Sequence, residues 1–192
     1  MNKKYDIIYA DPPWSFRTWN AKGGRKSASA HYNTMTLQDI CCLPVKKIAS
    51  ENSVLFMWAT MPNLKEAFEV IEAWGFTYKT VAFVWVKTYR NNDPVCGLGY
   101  WTRSNAELCL LATRGKISRK RKDIKQVVMT GLSNHSRKPS EVRERITMLM
   151  GEGLNKIELF ARERNELFNE YEGWDVWGNQ IKSDIELNKA VD

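Results

Sequence analysis

An α/β fold built on one sheet is what this chain predicts, and three observations point there. Apolar runs of strand length recur at residues 5–10, 53–59, 76–87, 106–113, 126–129 and 156–161. Between them, residues 62–74 and 139–150 carry apolar side chains at helical spacing, and strand, helix and strand in that order read as a βαβ unit and a parallel sheet. The third is content: 192 residues with 43% hydrophobic suffice for one well-formed core. No repeat or low-complexity stretch divides the chain, so a single domain over 1–192 is expected, with an acidic tail over about 181–192.

The first run, Tyr5 to Ala10, is β-branched and aromatic and is stopped by Asp11-Pro12-Pro13-Trp14. Two prolines lock φ and remove two N–H donors, leaving a carboxylate, carbonyls and an indole on a stiff strand tip. Two roles are open to it. Asp11 can close a turn while Trp14 packs into the core; or Asp11 and the Pro12 carbonyl can accept both hydrogens of an exocyclic amine whose ring stacks on Trp14.

Ser15 to Ala30 is polar and small, including Gly23-Gly24-Arg25-Lys26, and reads as a loop able to act as a lid. Thr36 to Leu43 predicts a short helix with Thr36 and Asp39 at capping-box spacing. Ser53 to Ala59 is apolar throughout, as in a strand covered on both faces. Leu64, Ala67, Phe68, Ile71 and Trp74 line one helical face, and Gly75 ends that helix.

Turn signals at Asn91-Asn92-Asp93-Pro94 and Gly97-Leu98-Gly99 make 88–104 a loop before the next strand. Arg114 to Lys125 holds seven basic residues and one acid, Asp123. Such runs are commonly solvated faces; between two strands, this one also suits contact with a phosphate backbone. Pro139 opens a helix whose stripe is Val142, Ile146, Leu149 and Met150, with Glu141 and Arg145 paired one turn apart. Gly151 to Gly153 stop it, and Lys156 to Ala161 form the last strand, ending in polar Arg162 to Asn165.

Charge narrows the partners. The net charge is +7, but residues 163–192 hold three Lys/Arg against eight Asp/Glu, a net of −5, which leaves +12 on the first 162. A basic body suits a polyanion, and eight tryptophans are enough to serve both a core and a stacking surface. Four cysteines without CxxC spacing and only two histidines speak against a zinc site, and the thiols read as reduced. No run approaches the ~18 apolar residues of a membrane span, nor does the N-terminal run reach a signal segment's length. A cytoplasmic protein, monomer or homodimer, without membrane association is expected.

The strings together resemble the adenine-N6 methyltransferase family named after the seventy-kilodalton, S-adenosylmethionine-binding subunit of the messenger-RNA adenosine methyltransferase. They are Asp11 to Trp14, Tyr32-Asn33-Thr34-Met35, Leu55 to Trp58, Val84-Trp85-Val86-Lys87, Gly99 to Arg103, Glu107, His135 to Pro139, Ile157 to Arg162, Asn165, and Trp177-Gly178-Asn179-Gln180. They run in family order along nearly the whole chain, which resembles the short bacterial and phage members. The resemblance implies a Rossmann-like S-adenosylmethionine-dependent methyltransferase of permuted motif order, with the catalytic strand first and the cofactor strand late. No glycine-rich GxG turn stands near Lys156 to Ala161, so an ordinary dinucleotide loop is not expected.

By the same resemblance, Asp11, Pro12, Pro13 and Trp14 are catalytic. Lys138, Glu158, Leu159, Phe160, Arg162, Asn165, Asn179 and Gln180 would hold S-adenosylmethionine, with no metal. Tyr32 and Arg103, together with Arg119, Lys120, Arg121 and Lys122 of the basic run, would meet the substrate. Direct transfer to the N6 amine of adenine in DNA is the expected reaction, with RNA as the alternative. A catalytically inactive nucleic-acid-binding subunit is the rival of another class, and a cytosine amino-methylating enzyme, whose related motif carries Ser in place of Asp11, is the third.

Overall fold

The computed structural model describes residues 3–15, 34–97, 99, 101–131, 138–162 and 171–187. Within them a seven-stranded sheet runs in the order β5-β3-β4-β2-β1-β6-β7. In chain order the strands are β1 (Tyr5–Ala10), β2 (Ala49–Ala59), β3 (Thr77–Thr88), β4 (Ala106–Arg114), β5 (Val127–Gly131), β6 (Lys156–Leu159) and β7 (Asp175–Trp177). The helices are α1 (Leu37–Cys41), α2 (Val45–Ile48), α3 (Leu64–Ala73) and α4 (Ser140–Met150). Rossmann-like architecture with the motif order expected from the sequence is what emerges.

The parallel βαβ reading needs one correction. β2 and β3 do run in the same direction, but β4 lies between them and is antiparallel to both. The reason is the connection: the described residues between 89 and 105 form no helix, and without a crossover the chain can return only antiparallel. Elsewhere the pairings are parallel, β1 to β2 and β6, β3 to β5, and β6 to β7.

Period-two alternation divides the core between the two faces of the sheet. Ile8, Ala10, Leu55, Met57 and Ala59 face α1 and α3, meeting Ile40, Ala67, Val70, Ile71 and Trp74. Ile7, Tyr9, Val54, Phe56 and Trp58 face α4, meeting Val142, Ile146 and Met150. That is why residues 53–59 read as apolar throughout. Each fully buried large aliphatic side chain, such as Leu55, contributes about 1.5–3 kcal/mol.

Local signals also hold. Thr36 Oγ1 accepts the Asp39 N–H at 3.1 Å and caps α1. Residues 61–63 form a 3₁₀ turn before α3. Pro139 is the N-cap of α4 rather than its first residue, and Arg145 Nη2 meets Glu141 Oε1 at 2.6 Å. No helix among the described residues is long and apolar enough to cross a membrane.

Candidate active site

Every parallel strand ends on the same edge of the sheet, and a set of polar residues gathers there. Asp11 follows β1, Phe160 to Arg162 follow β6, Asn179 and Gln180 follow β7, and Lys87 lies at the end of β3. Glu107 opens the antiparallel β4, so it begins where the others finish. Lys138 stands two residues before α4. β1 lies directly between β2 and β6, and the Asp11 N–H donates to the Leu159 carbonyl at 3.4 Å. Residues 11 and 159 are thus neighbours at one strand edge, where ligands of open α/β sheets bind.

Lys138 is the centre of the charged cluster. Its Nζ is 2.9 Å from Asp11 Oδ2 and 3.2 Å from Glu107 Oε2, and Lys87 Nζ donates to Glu107 Oε1 at 2.6 Å. The Lys138 side chain is only 9% exposed. Burial alone would favour the neutral amine, but the charges of Asp11 and Glu107 outweigh it and hold the pKa above the usual lysine value. Burial likewise works to raise the Glu107 carboxyl, and Lys138 and Lys87 reverse that and keep it below its usual range. Lys138 and Glu107 therefore stay ionised although both are largely buried.

Aromatic rings form the floor. Lys138 Nζ lies 5.6 Å above the Trp58 ring and Lys87 Nζ 4.4 Å above Trp85. Trp58 Nε1 donates to the Tyr9 hydroxyl at 2.5 Å, and Trp14 Nε1 donates to the Trp58 carbonyl at 2.9 Å. Burial, then the Glu158 charge, keep Tyr9 a neutral phenol. Cys109 lies buried beneath the same cluster, and burial followed by the Asp11 charge keeps its thiol protonated. It offers no thiolate nucleophile.

The proline string is shaped by its own backbone. The Trp14 N–H donates to the Pro12 carbonyl at 2.8 Å and the Met35 N–H to the Pro13 carbonyl at 3.1 Å. One lone pair of the Pro12 oxygen remains for a ligand. Trp14 is 6% exposed and packs with the core on the α1 and α3 side.

The remaining candidates separate into groups. Leu159 is fully buried, and Phe160 turns the chain with φ +62° while its ring meets Trp177 edge-on at 5.4 Å. Asn179 and Gln180 are exposed. Glu158 is buried and bonded to Arg143 Nη1 at 2.8 Å, below the rim rather than open to it. Arg162 gives its carbonyl to the Tyr171 hydroxyl at 3.2 Å. Arg103 is exposed on the loop between β3 and β4. That loop closes tightly at Gly99, where a Cβ would fall 1.9 Å from the Thr102 carbonyl oxygen. Tyr32, Asn165 and the lid segment 16–30 lie outside the described residues.

Arg119, Lys120, Arg121 and Lys122 lie away from this cluster. β4 runs away from the site, and Arg114 at its end pairs with Ser53 at the opposite edge. The basic run follows there, its Lys120 and Arg121 N–H groups bonded to Leu149 O near the far end of α4. These four side chains do not meet Asp11. Conversely, Lys87 and Glu107 complete the cluster although residue patterns alone did not single them out as site residues. The available signal was a charged residue at the end of each of two otherwise apolar strands.

The cluster fits a zwitterionic, hydroxyl-bearing ligand: a buried ammonium for a carboxylate, and exposed amides for hydroxyl groups. The MT-A70 family model matches residues 5–180. The Type II methyltransferase M.MunI of Mycoplasma sp. is 37% identical over 196 residues, covering 93% of this chain and 78% of that protein. A putative N(6)-adenosine-methyltransferase MT-A70-like protein of Medicago truncatula is 30% identical, with 93% of this chain but only 26% of its own length covered. The human N(6)-adenine-specific methyltransferase METTL4 is 28% identical, with 93% and 38% covered.

Proposed function

The chain belongs to the MT-A70 family, and from that premise we propose that it is an S-adenosylmethionine-dependent methyltransferase acting on the N6 amine of adenine in DNA. What carries the reading is the meeting of Asp11 with Lys138 at the β1 tip, beside the polar end of β6. The N6-adenine assignment draws on the N(6)-adenine-specific and N(6)-adenosine relatives, and the choice of DNA on the basic body and the resemblance to the short bacterial and phage members.

S-adenosylmethionine, when bound, supplies an electrophilic methyl group on a sulfonium. Lys138 would hold its carboxylate, and Asn179 and Gln180, with Arg162 and the backbone turn at Phe160, its hydroxyl and amino groups. Asp11 and the free lone pair of the Pro12 carbonyl would accept the two hydrogens of the adenine amine. That localises a lone pair otherwise delocalised into the ring and orients it for attack. As the N–CH3 bond forms at the expense of the S–CH3 bond, positive charge would pass from sulfur to the amine nitrogen, where the Asp11 carboxylate stabilises it until one amine proton is lost to water. Asp11 Oδ2 is engaged by Lys138, which leaves Oδ1 for the amine, and Glu107 draws part of the Lys138 charge away from Asp11.

The deciding experiment is radiolabelled methyl transfer to DNA and RNA oligonucleotides followed by base identification. Label in N6-methyladenine of DNA is expected. Label confined to RNA, or to cytosine, would replace the substrate assignment. Cofactor binding without transfer to any polynucleotide would instead indicate an inactive binding subunit.

A further inference from the structure

The basic run that does not join the site needs its own account. Residues 114–125 leave the end of β4 at the edge of the sheet opposite Asp11. Asp11 stands level with about Cys109 of β4, five residues from Arg114, which is about 17 Å at a strand rise of ~3.4 Å per residue. The loop is nevertheless built and held. Ile117 and Ile124 pack against the core, the Lys120 and Arg121 N–H groups bond to Leu149 O at 2.8 and 3.2 Å, and the Lys116 N–H bonds to Asn52 Oδ1 at 2.6 Å. Gly115 adopts φ +63° with Glu51 so near that a Cβ would fall 2.4 Å from its carbonyl oxygen.

All of these anchors use backbone groups or apolar side chains. The cationic ends of Lys116, Arg119, Lys120, Lys122 and Lys125 are left facing solvent. Asp123 is the one acid in the run, and it pairs with Arg121. A merely solvated charge run has no need of such fixing. A rigid row of cations binds a polyanion without first losing the conformational entropy of a loose loop.

We propose that this loop is a remote contact for the phosphate backbone of duplex DNA, reached by the flank of a bound duplex roughly five or more base pairs from the methylated base at ~3.4 Å per step. The proposal rests on the DNA reading of the site and adds a second, sequence-independent surface to it. It makes a duplex with a long flank bind more tightly than one cut close to the target.

The test uses the full chain and the triple variant R119Q/K120Q/K122Q, whose side chains take no part in the backbone anchors. Binding to fluorescein-labelled duplexes with flanks of about three or twelve base pairs is followed by anisotropy across a salt series, and circular dichroism checks the fold. Wild type should gain about tenfold or more in affinity from the longer flank, and the variant should lose that gain. The slope of log affinity against log salt on the long duplex should fall by up to about 3, near 0.9 per phosphate contact. Equal gains for both proteins, or an equal loss on short and long duplexes, would overturn the proposal, the latter because net charge alone would explain it. Methyl transfer is scored separately. A flank-dependent difference without transfer would sink the catalytic reading and leave this one standing; transfer with no such difference would do the reverse.

Discussion

The Lys138 ammonium lies 2.9 Å from Asp11 Oδ2 although 127 residues separate the two in the chain. Glu107 at 3.2 Å shares it. The cluster is therefore a four-member network, and each member's removal has a distinct expected outcome.

Replacing Asp11 by Asn removes the charge that would stabilise the developing cation while keeping the shape of the side chain. Methyl transfer should fall by about 10²–10³-fold. Lys138 keeps Glu107 as a partner, so the far-ultraviolet spectrum should be unchanged. Single-turnover kinetics beside circular dichroism check both halves.

Lys138→Met deletes the one group proposed to meet the cofactor carboxylate. A charge-assisted hydrogen bond of about 1.5–3 kcal/mol corresponds to roughly 10- to 150-fold weaker binding of S-adenosylmethionine. Titration calorimetry measures it. Lys138→Arg keeps the charge but not the compact point geometry, and should restore only part of the affinity.

The pH dependence follows from signs. Glu107 is held below its ordinary 4.5, so its contribution is complete above 4.5 and is lost as pH falls through the lower folded value. Lys138 is held above its ordinary 10.5, so its contribution is complete below 10.5 and is lost as pH rises through the folded value. Denaturation by urea should find both contributions flat between 4.5 and 10.5. Glu107→Gln should flatten the acid limb.

Tyr9→Phe removes the acceptor of the buried Trp58 Nε1–H. An unsatisfied buried donor costs about 1–3 kcal/mol. Because the Trp58 carbonyl in turn receives Trp14, transfer activity should also decline. A thermal melt and an activity assay on the same preparation read the two effects.

Phe160 combines a left-handed backbone with a ring contact. Glycine relieves the former at about 1–2 kcal/mol and loses the latter at about 0.5–1.5 kcal/mol. Alanine loses the ring and keeps the strain. Phe160→Gly should therefore melt higher than Phe160→Ala, the reverse of the usual order for these two residues outside positive φ.

Much of this was legible in the sequence because the features were local. Thr36 caps a helix through its own neighbour, and the run at 53–59 is apolar because both faces of β2 are covered. Strand order was less so. The place of β4 between β2 and β3 depends on which edge is open when the chain returns, and no residue spells that out. β7, three residues long, is too short for a period-two pattern to register. In the site, Asp11 and Lys138 stood out from their prolines and flanking strings. Glu107 and Lys87 stood within the family strings, but only hydrogen-bond distances joined them to Lys138 and Asp11, and the charge of Arg119 to Lys122 marked a partner without marking a place in the fold.

β1, which leads into Asp11, is made before the other six described strands, yet its flank against β6 stays bare until residues 156–159 are made. Until then a nascent chain displays an apolar ribbon with one row of amides and carbonyls unmatched, an invitation to mispairing with other chains. Completion of β6, rather than collapse of the early segments, is thus the step before which catalytic competence cannot arise.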